Sequence, residues 1–113
     1  MKFNLDAAAT EVEHFSLLRD WTKFHSLRSL LLATMGELGE LAELLQWKSD
    51  LEVDESLSID SSRYQIEDEF ADVMIYLIRF AQVAKIDPSM AILRKIKENE
   101  LRFPIPDSVQ HDG

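Results

Sequence analysis

Apolar residues at positions 5, 8, 12, 15 and 18 recur every three or four residues, a spacing that lines one face of a helix from Leu5 to Leu18. The pattern breaks over Asp20 to Ser26, where Trp21, Phe24 and His25 mark a bend. Ser26 is placed to cap a second helix, which runs through Leu30, Leu31, Leu38, Leu41 and Leu45 and ends near Trp47 or Lys48. Residues 49–58 alternate acids with small polar residues and read as a solvent-facing loop. A third helix opens between Asp60 and Ser62, where Ser62 and Gln65 have the spacing of a capping box. Its buried side carries Ile66, Phe70, Val73, Leu77, Phe80, Ala81 and Ala84. Asp87 and Pro88 form a cap and first-turn pair for a fourth helix, on which Met90, Leu93, Ile96 and Leu101 repeat until Pro104 and Pro106 stop it.

The pattern therefore predicts an all-α protein, a compact four-helix subunit over residues 1–104 with a flexible tail over 105–113. No repeat, linker or low-complexity tract separates a second domain. The second and third helices are apolar over more than one narrow stripe, since Met74, Ile75 and Ile78 lie off the main line of the third. Such an excess suits either a partner helix surface, most simply a symmetric homodimer, or a buried third side within one chain.

The 113 residues carry 12 Lys and Arg against 21 Asp and Glu, a net charge of -9, and no cysteine. The missing cysteines exclude a disulfide framework, a thiolate nucleophile and a thiolate metal site. The acidic excess argues against tracking a nucleic acid polymer, which needs a basic patch. Small phosphorylated ligands stay compatible with it, provided divalent cations reverse the field locally. The most apolar run, Leu30 to Met35, is interrupted by Thr34 and followed by Glu37, so no membrane span is expected. The stretch from Met1 to Asp6 lacks the basic-then-apolar order of a secretory signal, and the expected location is cytoplasmic.

The acids are arranged, not merely abundant. Glu37 and Glu40 stand three apart on the second helix, and Glu69 and Asp72 repeat that spacing on the third. Residues three apart share one face, so each pair repels itself unless a cation lies between the carboxylates. Antiparallel packing of the two helices would bring four carboxylates to one place, a hard-oxygen ligand set for Mg2+ or Mn2+. Asp68 with Asp72 is an equally good pair, Glu43 continues the first row, and two solvated acidic faces would show the same spacing. Within the two paired-acid helices no histidine follows an acid in the Glu-x-x-His arrangement of di-iron bundles, since the histidines are at 14, 25 and 111, and this leaves hydrolysis assisted by hard metals as the better chemistry.

Glu37-Leu38-Gly39-Glu40 and Glu69-Phe70-Ala71-Asp72 resemble the ExxE and ExxD motifs of the all-alpha nucleoside triphosphate pyrophosphatases, or MazG-like proteins. The surrounding context is similar to their deoxycytidine triphosphate branch across roughly residues 5 to 104. It comprises Arg19-Asp20-Trp21, Phe24-His25, the run from Leu30 to Trp47-Lys48, Asp72 to Leu77, and Lys95, Asn99 and Arg102-Phe103-Pro104. The resemblance implies Mg2+ held by Glu37, Glu40, Glu69 and Asp72, and cleavage of a nucleoside triphosphate to a monophosphate and pyrophosphate. It implies a homodimer, sometimes a dimer of dimers. It places Trp21, His25 and Trp47 in a base pocket and Lys95, Asn99 and Arg102 near the phosphates.

The residues read by themselves are compatible with those roles. Trp21 and Trp47 have planar faces for a base or for packing, and Lys95, Asn99 and Arg102 share one face of the fourth helix. Glu40 is the candidate general base, and no P-loop is present. Three positions depart from the related pattern: Ser29 replaces an asparagine, Glu100-Leu101 an Arg-Arg pair, and Val12 a histidine, with His14 close by. The expected substrate is dCTP or a modified dCTP. One alternative is a broader house-cleaning enzyme acting on dUTP or oxidised purine nucleotides. Another is a non-catalytic helical dimer that binds nucleotides or protein.

Overall fold

The computed structural model describes residues 4–107; residues 1–3 and most of the expected tail, 108–113, lie outside the described residues. Five α-helices follow one another: α1 Leu5–Leu18, α2 Leu27–Leu45, α3 Asp50–Ser58, α4 Asp60–Ala84 and α5 Pro88–Arg102, with a 3-10 turn at Thr22–Phe24 inside the expected bend. Among the described residues there is no strand, so the all-α class holds. Among the described residues the expected count of four helices is corrected to five.

The helix ends follow from side-chain caps. Asn4 Oδ1 accepts from the Ala7 amide at 3.0 Å, Ser26 Oγ from the Ser29 amide at 3.1 Å, and Asp87 Oδ1 from the Met90 amide at 3.1 Å. Each satisfies an amide that the first turn leaves without a carbonyl. The stretch expected as a loop is α3, opened by a reciprocal capping box. The Glu52 amide donates to Ser49 Oγ at 3.2 Å, and the Ser49 amide donates back to Glu52 Oε1 at 3.1 Å. Ser56 is buried and Val53 and Leu57 are half-buried, so a narrow stripe seats this acidic helix on α4. The capping box expected at Ser62 and Gln65 does not form, because α4 already starts at Asp60 with Ile59 as its cap residue. That helix ends at Lys85 in the left-handed conformation, φ 58°.

The principal contact is α2 on α4, with α1 and α3 also laid on α4, whereas α5 touches the other helices only slightly. Leu30, Val73, Ile78 and Ala81 form the buried apolar centre. Ser16, Thr34 and Ser56 are buried beside it, each hydroxyl donating to the carbonyl four residues back, at 2.9, 2.7 and 3.0 Å. Phe70 and Leu77, expected on the buried side, are 53% and 43% exposed, because a single chain supplies no neighbour for that face.

The chain is also more open than expected. Its radius of gyration is 17.8 Å, against about 13 Å for a compact chain of 100 residues. No helix among the described residues is long and apolar enough to cross a membrane.

Candidate active site

Antiparallel packing of α2 and α4 assembles the acids. His25, just before α2, bonds Arg79 near the end of α4, and the middle of α2 then lies against the middle of α4. Glu37, Glu40 and Glu69 each present a carboxylate oxygen within 4.8 Å of the others. Asp72 adds its charge to the cluster, acting on both Glu37 and Glu69. Glu43 and Asp68, the competing acids, are not part of the three-residue cluster.

The cluster is under electrostatic load. Burial pushes the Glu37 carboxyl above its ordinary value, and the charges of Glu40 and Asp72 push it the same way. Glu69 is raised first by burial, then by the close approach of the Glu40 carboxylate and the charges of Glu37 and Asp72. One oxygen of each, Glu37 Oε2 and Glu69 Oε2, is buried and finds no hydrogen-bond partner among the described residues. Buried acceptors are ordinarily paired, so two orphaned carboxylate oxygens in one acidic cluster mark a place for a cation. All the donors are hard oxygens with no histidine or cysteine among them, a set that fits Mg2+ or Mn2+ better than zinc.

Beside the cluster lies a pocket of about 400 Å³, lined by Glu11, Val12, Phe15, Ser16, Trp21, His25, Asp72, Ile75, Tyr76 and Arg79. That volume is within the range of small-molecule sites. Its walls are mostly apolar and aromatic. Phe15 and Trp21 meet edge to face with centroids 5.3 Å apart, and Trp21 meets His25 at 6.4 Å. Asp72 belongs to both regions, so carboxylates and aromatic pocket share a boundary.

Residues 32–112 match the model of the MazG-like family. The chain belongs to the MazG-like family. This MazG-like chain is 43% identical to dCTP pyrophosphatase 1 of Mus musculus over 91 residues, covering 80% of the chain and 54% of that protein. It is likewise 43% identical over 90 residues to dCTP pyrophosphatase 1 of Homo sapiens, covering 80% and 53%. The chain spans about half the length of these curated relatives. Its fold is similar to the crystal structure of a pyrophosphatase from Archaeoglobus fulgidus, with a TM-score of 0.81, 32% identity, and 93% and 96% of the two chains covered.

Within this MazG-like chain, Trp21 and His25 stand in the pocket with Asp72 at its edge. Trp47, Lys95, Asn99 and Arg102 are not among its lining residues. Trp47 follows α2 and is 86% exposed. On α5, Lys95 Nζ pairs with Glu98 at 3.3 Å, Asn99 is half-buried, and the Arg102 guanidinium lies 5.2 Å from the Phe103 ring centroid. Phe15, expected only as part of the apolar stripe of α1, and Arg79, with no expected role, also line the pocket. The signal for Arg79 was there, as the one basic residue in the apolar stretch from Val73 to Ala84.

Proposed function

We propose that this protein is a Mg2+-dependent nucleoside triphosphate pyrophosphohydrolase, acting on dCTP or a base-modified dCTP to give the monophosphate and pyrophosphate. The observation that carries the reading is Asp72, shared by the acidic cluster and the aromatic pocket. A nucleotide has the same division, a flat apolar base joined to an anionic tail. The similarity to dCTP pyrophosphatases and to the archaeal pyrophosphatase supports the same reaction.

In this reading Trp21 gives the base an aromatic face and His25 a polar contact, while the acids face the phosphates. Glu37, Glu40, Glu69 and Asp72 would hold Mg2+, with Mn2+ able to replace it. A divalent cation bound there neutralises phosphate charge and lowers the pKa of water. Glu40, exposed at the rim of the cluster, accepts the proton of the attacking water. Water oxygen bonds to phosphorus, the bridge between the α and β phosphates breaks, and pyrophosphate leaves. Lys95, Asn99 and Arg102 are assigned to the phosphate tail, and Trp47 to the outer side of the base.

The working unit is proposed as a homodimer, with pairing of dimers a further step. The chain exposes 9329 Å² for 13.0 kDa, whereas a compact monomer of that mass would expose about 6,300 Å². Obligate dimers bury areas on the order of that excess. Leu31, Leu32, Met35 and Leu38 on α2, with Phe70 on α4 and Leu93 on α5, are half exposed or more, an apolar surface that suits a second copy. Assembly would also bring α5 and Trp47 of one copy or the other toward the acids. The proposed setting is the cytoplasm, in keeping with a chain free of cysteine.

Incubating the protein with each common deoxynucleoside triphosphate, 8-oxo-dGTP and Mg2+, then separating the products by ion exchange, tests the reading. Pyrophosphate with dCMP, formed fastest from dCTP, is expected. Faster turnover of dUTP or the oxidised purine would reassign the substrate, and inorganic phosphate with dCDP would contradict the reaction.

A further inference from the structure

Arg79 is only 6% exposed, yet among the described residues no carboxylate lies in ion-pair range of it. Its guanidinium instead donates to three neutral acceptors: Nε to His25 Nδ1 at 3.1 Å, Nη1 to Gln82 Oε1 at 2.9 Å, and Nη2 to Thr22 Oγ1 at 3.2 Å. Gln82 in turn donates from Nε2 to the Ala9 carbonyl at 2.7 Å. One buried cation thus joins α4 to the 3-10 turn, while its glutamine partner reaches α1. Apolar side chains could join the same elements without the cost of desolvating a charge. The arrangement therefore points to a task besides cohesion.

Guanidinium nitrogen can donate a hydrogen bond but not accept one, and arginine keeps its proton throughout the ordinary pH range. Nδ1 of His25 must therefore be the acceptor and carry no hydrogen. The neutral ring then holds its one proton on Nε2. His25 is pushed below its ordinary pKa, by burial first and by the Arg79 charge second, which favours the same uncharged form. Both residues line the aromatic pocket, and with Nδ1 occupied the Nε2–H is the polar group the ring has left.

We propose that Arg79 is a positioning residue that sets base choice: it holds His25 in the Nε2–H tautomer, so that a base entering the pocket meets a hydrogen-bond donor. Such a ring selects an edge bearing acceptors. Both bases offer acceptor carbonyls, but at N3 they are opposite: cytosine presents a bare acceptor nitrogen and uracil an N–H, so an Nε2–H aimed at N3 favours cytosine and is opposed by uracil. This inference rests on the reading of the pocket as a nucleobase site, but not on turnover.

The test combines a tautomer measurement with nucleotide affinity in the full chain. Long-range proton–nitrogen correlation of histidine-labelled protein at pH 7.5 should show His25 with an unprotonated Nδ1 and a protonated Nε2. Calorimetry should show dCMP binding more tightly than dUMP. Arg79→Met should release His25 into a mixture of tautomers and cut that preference by about tenfold, the worth of one hydrogen bond. Should Arg79→Met not fold, His25→Asn keeps an acceptor for Arg79 but lacks the Nε2 donor, and should lose the same preference. A wild-type His25 protonated on Nδ1 or on both nitrogens would overturn the inference, as would an Arg79→Met spectrum unchanged at His25 or equal affinity of the wild type for the two nucleotides. Absent turnover of every triphosphate would sink the reaction proposed above, while the spectrum and the affinities would still decide this point.

Discussion

Glu37 on α2 and Glu69 on α4 reach toward each other across antiparallel helices, and each keeps one buried oxygen with no hydrogen-bond partner among the described residues. The two carboxyls are raised by burial and by the acids around them. Without a cation this arrangement works against the fold, and with one it becomes a binding site.

That load has a defined pH dependence. A carboxyl raised in the folded state binds more protons there than in the unfolded chain between its two pKa values. Stability of the metal-free protein therefore falls as pH rises from the ordinary glutamate range through the raised values of Glu37 and Glu69. Added Mg2+ should restore it, and more strongly at pH 8 than at pH 5, because protons compete for the same oxygens. Thermal melting at the two pH values with and without Mg2+ checks this; a metal effect independent of pH would count against a carboxylate site.

Removing one charge should separate stability from activity. Asp72→Asn and Glu69→Gln keep side-chain size while relieving repulsion, so the metal-free melting temperature is expected to stay level or rise. Turnover should drop by roughly 100-fold or more, the scale seen when a group stabilising transition-state charge is lost. Loss of the fold in both variants would assign these residues a structural role.

Trp21 gives a third test. Its ring forms part of the pocket wall, in edge contact with Phe15. Base stacking on such a ring is worth about 1–3 kcal/mol. Trp21→Ala should raise KM for dCTP accordingly, roughly 5- to 150-fold, with a smaller change in Mg2+ affinity. Equal damage to metal and nucleotide binding would show that Trp21 serves the packing of the whole site.

Four of the five helices could be read from periodicity and punctuation such as Ser26 and the Asp87-Pro88 pair, but the phase of α4 could not, since Phe70 and Leu77 are exposed and Ile78, off the expected line, is buried. The helix that escaped, α3, has a stripe only Val53, Ser56 and Leu57 wide, and its acids resemble loop composition. Its true signal was the spacing of Ser49 and Glu52. The acids could be named from their three-residue spacing, but that Glu37, Glu40 and Glu69 converge, with Asp72 as a neighbouring charge, depends on the phase of α2 against α4, which is tertiary information. Arg79 stands out in the sequence as the one basic residue of an apolar stretch, but its partners do not, because a guanidinium bonded to neutral groups on a distant turn has no complementary charge to mark them.

The Ser49 box supplies a stability test of α3. Ser49→Ala removes the acceptor for the Glu52 amide and should cost about 1 kcal/mol. That corresponds to a fall of a few degrees in melting temperature. Glu52 is held below its ordinary pKa by its bonds to Ser49, so its contribution is present above the ordinary glutamate range and is lost as pH falls through its lowered value. The difference between wild type and Ser49→Ala should accordingly shrink in acid; a constant difference would show that the box does not govern α3.

The most direct measurement is anomalous scattering from crystals grown with Mn2+ and a non-hydrolysable dCTP analogue. Manganese should lie among Glu37, Glu40, Glu69 and Asp72, with the analogue's phosphates against it and its base beside Trp21. Manganese absent from those four carboxylates while nucleotide is bound elsewhere would contradict the account.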